Sequence, residues 1–331
     1  MLTLVIITIA IALLFDLLNG MNDAGNSIAT IVATRVLPPK LAVLWAAFFN
    51  FIAFLVFGVH VASTIGNGII HPEVLKGDPY CVLAALMGAI LWVWFCQRNG
   101  LPNSVSHALI GGLIGPALIK GGLSAVFLPG LIKIAIFIVL APLLGFIIGY
   151  FFMILTMLIW GKVPPAKVDR FYRIMQLVSS AGFSLGHGGN DAQKTMGIIA
   201  ALLFSTGYLT GAFYVPLWVV LSAHLCIALG TLFGAWKVIK TLGHGLTNLK
   251  PVHGFVAETS GALTLFGATM LGIPVSTTHT ITGAIMGVGV TRRFSAVKWE
   301  VAGSIITAWI LTIPMTILFS AGIYWMIKLI F

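Results

Sequence analysis

Apolar runs of membrane-spanning length recur from one end of this chain to the other: Leu41 to Ala62, Tyr80 to Phe95, Val126 to Trp160 and Phe255 to Leu271. About 20 apolar residues cross a bilayer as a helix. Only helices and closed barrels can span, because lipid offers a free backbone group no partner. Barrel strands alternate apolar and polar residues, and these runs do not. With 59% hydrophobic and 8% charged residues, the chain reads as an all-α polytopic membrane protein in contact with the lipid bilayer along its length. The first 14 residues lack a basic leader and a small-residue cleavage site, so they read as a retained span. Cys81, Cys96 and Cys226 all lie in apolar segments and read as reduced core thiols. The formal charge of +10 is scattered among loops, which speaks against a nucleic-acid partner.

The second constraint is duplication. Asn22-Asp23-Ala24 recurs as Asn190-Asp191-Ala192, an offset of 168, and "LPNSVSHALIGGLIG" (Leu101 to Gly115) recurs as "IPVSTTHTITGAIMG" (Ile273 to Gly287), an offset of 172. Pro142 and Pro314 keep the second offset. The chain therefore divides into a first repeat over 1–160, a basic linker over 161–170 and a second repeat over 171–331. Equivalent loops differ in charge: Arg35 and Lys40 face an uncharged "STGYLTG", Lys76 faces Lys237, Lys240 and Lys250, and Lys120 faces Arg292, Arg293 and Lys298. Cytoplasmic loops collect Lys and Arg, so the two repeats have inverted topology. Each is expected to cross twice, dip in and out as a re-entrant helical hairpin, and cross again. That arrangement puts both termini outside and the linker, with Lys162, Lys167, Arg170 and Arg173, in the cytoplasm of a multi-pass protein of the cell membrane.

The hairpin tips are "LPNSVSH" and "IPVSTTH". Pro interrupts a helix, and the Ser and Thr residues that follow cap the outgoing one. A helix N-terminus offers free N–H groups and the positive end of a dipole. Two of them face to face, carrying Ser104, Val105 and Ser106 with Ser276, Thr277 and Thr278, suit a small oxyanion; capping alone is the plainer account of the same residues. Asp23 and Asp191 are costly in hydrocarbon and are expected to face a cavity. With Asn22, Asn26 and Asn190 they supply hard oxygen ligands for a small cation, on helices expected to be broken there. Asp16, one heptad earlier, is a candidate brace for the break. Glu258 is either a cation or proton ligand or an interfacial acid. Lys194 aligns with Asn26, which makes the halves unlike in charge. Arg98 precedes the first tip and either meets an anion or lies in water. His107 and His279 have no acid or thiol at ligand spacing and read as helix-start packing. No signature of a hydrolase or nucleotide-binding enzyme is present.

"FDLLNGMNDAGNSIATIVATR" and "GHGGNDAQKTMGII", with the paired P-x-S-x-[ST]-H tips, resemble the signatures of the inorganic phosphate transporter (PiT) family, and the likeness spans nearly the whole chain. It implies cation-coupled phosphate uptake at a central site between inverted repeats, in the compact prokaryotic form. Carried over residue by residue, Asn22, Asp23, Asn26, Asn190 and Asp191 would serve the cation and phosphate sites, and the two tips, with Asn22 and Asn190, would hold phosphate. The resulting expectation is a secondary symporter without organic cofactor, in which Na⁺ binds at Asp23 and Asp191. The same residues leave open H⁺ coupling, a sulfate permease of the same fold, an anion channel, and the oligomeric state, a homodimer included.

Overall fold

The computed structural model describes residues 1–330, apart from the side chains of Asn67, Pro72 and His244; Phe331, the last residue of the second repeat, lies outside the described residues. The first half contains α1 (Leu2–Ala33), α2 (Pro39–Ile52), α3 (His60–Asn67), a single turn α4 (Pro72–Leu75), α5 (Pro79–Asn99), α6 (Val105–Gly121) and α7 (Leu128–Trp160). The second contains α8 (Pro165–Ser205), α9 (Leu217–Phe233), α10 (Trp236–Lys240), α11 (Pro251–Met270), α12 (Thr277–Val290) and α13 (Trp299–Ile330). Among the described residues there is no strand, only an isolated bridge between Ile70 and Val126. Five helices among the described residues, α1, α5, α6 continued to Ala125, α7 and α13, are long and apolar enough to cross a membrane, or up to seven spans if each bent pair counts as one. The basic segment 161–170 is only partly a connection, since residues from Pro165 onward form the first turns of α8.

The helix breaks do not fall at the polar motifs. α1 and α8 run without interruption through Asp23 and Asp191, which corrects the expected break there and removes the need for Asp16 to brace one. Continuous helix keeps every backbone group internally paired, so the motifs present side chains and keep their own backbone closed. The bends lie one element later: α2, extended by a 3-10 turn, meets α3 at 84°, and α9 meets α10 at 68°. At the second of these Gly234 adopts φ 60°, a left-handed conformation in which glycine escapes the Cβ penalty.

Elements recur in the same order in both halves, and the halves exchange partners. α1 packs on α9 and α10, while α8 packs on α2 and α3; α6 packs on α13, while α12 packs on α7. The last two contacts use G-x-x-x-G faces, which bring helix backbones close in apolar surroundings. A Cβ at Gly283 would lie 2.1 Å from the Pro142 carbonyl, and one at Gly111 would lie 2.1 Å from Thr316 Oγ1 and 2.7 Å from the Ile313 carbonyl. Large side chains such as Ile132, Ile136, Val139 and Leu143 of α7 stay exposed, as a lipid-facing surface requires. This exchange sets the two hairpins, α5–α6 and α11–α12, tip to tip: Thr278 Oγ1 donates to the Asn103 carbonyl at 3.0 Å and Ser106 Oγ donates to the Val275 carbonyl at 3.1 Å.

Candidate functional site

Each tip ends in a serine that caps the outgoing helix. Ser104 Oγ accepts from His107 N at 3.2 Å, and Ser276 Oγ accepts from His279 N at 3.3 Å. A cap of this kind satisfies one of the four free N–H groups at a helix start. These two hydroxyls serve the helices, as the plainer account has it. Thr277 and Thr278, in the first turn of α12, instead reach Asp23 on α1, and Ser106, in the first turn of α6, reaches Lys194 on α8.

The hydrogen-bond partners of Asp23 are all neutral. Thr277 Oγ1 donates to Asp23 Oδ2 at 2.8 Å, Thr278 Oγ1 lies 3.3 Å from Oδ1, and Asn22 Nδ2 donates to Oδ1 at 2.6 Å. Asn26 Nδ2 donates to Thr278 Oγ1 at 2.9 Å. Around Asp191 the partner is a cation. Lys194 Nζ donates to Asp191 Oδ1 at 2.5 Å, to Ser106 Oγ at 2.5 Å and to the Val275 carbonyl at 2.9 Å. The second-half amide, Asn190, is taken up by the tip: its Nδ2 donates to Thr269 Oγ1 and the Ile273 carbonyl, and its Oδ1 accepts from Val275 N. All of these side chains are buried, so the site is closed to both sides in this conformation.

Between the two acids stands a residue that sequence reading missed. His187 Nε2 lies 3.8 Å from Asp23 Oδ2 and 3.8 Å from Asp191 Oδ2. Its tautomer follows from its neighbours. Thr231 Oγ1 donates to the Ile227 carbonyl and accepts from Asn50 Nδ2, which turns Asn50 Oδ1 toward His187 Nδ1 at 2.9 Å. The proton is therefore assigned to Nδ1, and Nε2 presents a lone pair to two carboxylates. The ligating atoms of Asp23, His187 and Asp191 all lie within 4.8 Å of one another. Three electron-pair donors thus converge on one point, an arrangement that a cation, metal ion or proton, can join. Buried oxygens without a donor belong to the amides that contact these residues: Asn19 Oδ1, Asn22 Oδ1 and Asn26 Oδ1. The signal for His187 was present in the repeat, since the offset of 168 pairs it with Asn19, whose Nδ2 in turn approaches Asp191 Oδ2 at 3.5 Å.

The structure thus brings together Asn22, Asp23, Asn26, Asn190, Asp191, Ser106, Thr277 and Thr278, with Ser104, Val105 and Ser276 on the same tips. Glu258 stands apart. It accepts from Thr30, Gln176 and Ser179 at 2.5–2.9 Å, and Thr30 is seven residues beyond Asp23 on α1, roughly 10 Å along the axis. Arg98 is exposed and covers the Trp94 ring. His107 and His279 pack edge to face, and His279 stacks on Trp309. Asp16 is fully buried with no hydrogen-bond donor on either carboxylate oxygen.

Comparison with known proteins locates this arrangement. Residues 19–320 match the model of the phosphate transporter family. The chain is 56% identical over 322 residues to a probable low-affinity inorganic phosphate transporter of Rhizobium meliloti, covering 97% of this chain and 96% of that one. A protein of the same description from Bacillus subtilis is 38% identical over 331 residues, covering 100% and 99%. Among solved structures, one described as the sodium-dependent phosphate transporter superposes with a TM-score of 0.90 at 28% identity, covering 99% of this chain and 100% of that one.

Proposed function

The chain belongs to the phosphate transporter family, and from that premise we propose that it is a secondary transporter that carries inorganic phosphate across the cell membrane by cation-coupled symport, with Na⁺ as the coupling ion. The observation that carries the reading is the convergence of Asp23 Oδ2, Asp191 Oδ2 and His187 Nε2 at the point where the starts of α6 and α12 meet. Carboxylates and amide oxygens bind a hard cation; helix N-termini bind an oxyanion. The two ligands need each other, because phosphate cannot approach two carboxylates until a cation offsets their charge. The description of the solved relative as sodium-dependent supports Na⁺.

In this reading Asp23 and Asp191 hold the cation with oxygens of Asn22 and Asn26, and Asn190 positions the second tip. Phosphate lies against the N–H groups that follow Ser104 and Ser276 and the hydroxyls of Ser106, Thr277 and Thr278. Glu258, satisfied by three donors, braces α1 against α8 and α11. The halves, 1–160 and 171–331 about a basic linker, act as inverted repeats with the linker in the cytoplasm and both termini outside. The hairpins move to open the closed site to one side and then the other.

Uptake of labelled phosphate into proteoliposomes under separately imposed Na⁺ and pH gradients tests the reading. Accumulation driven by the Na⁺ gradient is expected. The buried Asp16 carboxylate favours a proton-coupled variant specifically, and accumulation driven by the pH gradient alone selects it. Accumulation under neither gradient, or full competition by sulfate, rejects phosphate symport.

A further inference from the structure

The two acids occupy equivalent places, and a hydroxyl and a main-chain carbonyl beside one have counterparts beside the other. Asp23 corresponds to Asp191, Thr278 to Ser106 and Asn103 to Val275 under the repeat offsets. On one side Ser106 Oγ donates to the Val275 carbonyl; on the other Thr278 Oγ1 donates to the Asn103 carbonyl. Each acid thus joins a hydroxyl and a main-chain carbonyl in a cluster of three oxygens. In the second half that cluster holds Lys194 Nζ, whose three protons fall on Asp191 Oδ1, Ser106 Oγ and the Val275 carbonyl. In the first half the residue equivalent to Lys194 is Asn26, two bonds shorter. Its amide reaches the equivalent hydroxyl, Thr278 Oγ1, and the other two oxygens, Asp23 Oδ1 and the Asn103 carbonyl, are met by the neutral amide of Asn22 at 2.6 and 3.5 Å, a group that a cation can displace.

We propose that the Lys194 ammonium is a tethered cation that permanently fills one of two symmetry-related cation positions, leaving the exchangeable cation the equivalent position formed by Asp23 Oδ1, Thr278 Oγ1 and the Asn103 carbonyl. The proposal rests on the symport reading above and revises its cation site: Asp191 keeps Lys194 as its counterion, and the one exchangeable cation is held on the Asp23 side. Unsatisfied oxygens give an independent sign of which side is exchangeable. Two such atoms, Asn22 Oδ1 and Asn26 Oδ1, are buried beside Asp23, against one, Asn19 Oδ1, beside Asp191, where the Asn190 oxygen accepts from Val275 N. Charge agrees: with both carboxylates ionised, Lys194 offsets one negative charge and one mobile monovalent cation offsets the other. A primary ammonium and Na⁺ both satisfy a cluster of oxygens, but only the ion can leave.

The test counts radioactive Na⁺ bound per purified full-length chain at saturating inorganic phosphate. K194N places at Lys194 the residue its counterpart carries, and should bind one Na⁺ more than the wild type. N26K installs a second tethered ammonium and should bind one fewer. K194Q should follow K194N if K194N does not fold. Equal counts in the wild type and K194N, or an unchanged count in N26K, overturn the proposal. A wild-type count of zero rejects Na⁺ symport and not the tethered cation, which then stands or falls on the difference between the wild type and K194N or K194Q.

Discussion

Asp23 and Asp191 sit at equivalent positions of a duplicated chain, yet the first is met by two hydroxyls and an amide and the second by an ammonium. Duplication lays down matched backbone frames; in our proposal the difference of Asn26 against Lys194 then divides their work. A carboxylate held by neutral donors can take and release a cation. One paired with a buried lysine has its counterion built in. The sharpest way to break this contrast is transport by D23N. Loss of the exchangeable ligand should cut gradient-driven phosphate uptake about 100-fold, toward the upper end of usual coupling free energies. Near-normal Na⁺-dependent uptake by D23N would mean that the neutral side is not the exchangeable one.

Stability should separate the halves in the opposite sense. D191N strands a lysine that is 2% exposed, and breaking a buried pair by removing one partner costs about 3–5 kcal/mol. The double variant D191N/K194M removes both charges and should recover most of that loss. D23N gives up only hydrogen bonds with neutral partners and should cost about 1 kcal/mol. Denaturation midpoints of the three variants check the order. A D23N loss as large as that of D191N would show that both acids are structural.

Much of this contrast is legible in the sequence, because a repeat offset is a statement about space. The shared offsets of the N-D-A motifs and the proline tips suffice to predict two equivalent sites, and the tip hydroxyls follow from capping chemistry. What the offsets do not carry is which half packs on which. The exchange of α6 and α12 between α13 and α7 depends on glycine faces that read only as close packing somewhere. The expected break in α1 fails for a related reason: polar residues in a span signal partners, and here the partners are other side chains, so the helix has no need to open. His187 is easily passed over in the sequence because a histidine aligned with an asparagine looks unmatched until both stand beside Asp191.

The glycine faces give the next comparison. Gly283→Ala would drive a Cβ into a main-chain carbonyl 2.1 Å away, while Gly111→Ala first meets the Thr316 hydroxyl and then the Ile313 carbonyl at 2.7 Å. Backbone yields less readily than a side chain, so G283A should cost about 2–3 kcal/mol and G111A nearer 1–2 kcal/mol, within the usual range for overpacking. Thermal unfolding of the two single variants measures the difference. Equal losses would mean that α13 gives way no more easily than α7.

The smallest expected effect lies at the rim, where the halves differ most in charge. Asp78, at the mouth of α5, accepts through Oδ2 from Tyr324 at 2.7 Å and Lys120 at 3.1 Å, with Lys328 at 3.4 Å, so an acid latches α5 and α6 to α13. The repeat offset places Lys250 and Arg292 at the positions of Asp78 and Lys120, two cations that cannot pair. Burial pushes the Asp78 carboxyl up, but the Tyr324 hydroxyl and the two lysines outweigh it and hold it below the ordinary carboxylate value. For a carboxylate whose native value is depressed, the stabilisation is complete above the unfolded value and is lost as pH falls through the native one. D78N should therefore cost about 1 kcal/mol at neutral pH, with the gap from the wild type closing only below the ordinary carboxylate range. A gap that closes already in mildly acidic solution would show that the latch holds through something other than the Asp78 charge, and would leave the two rims less different than their sequences make them.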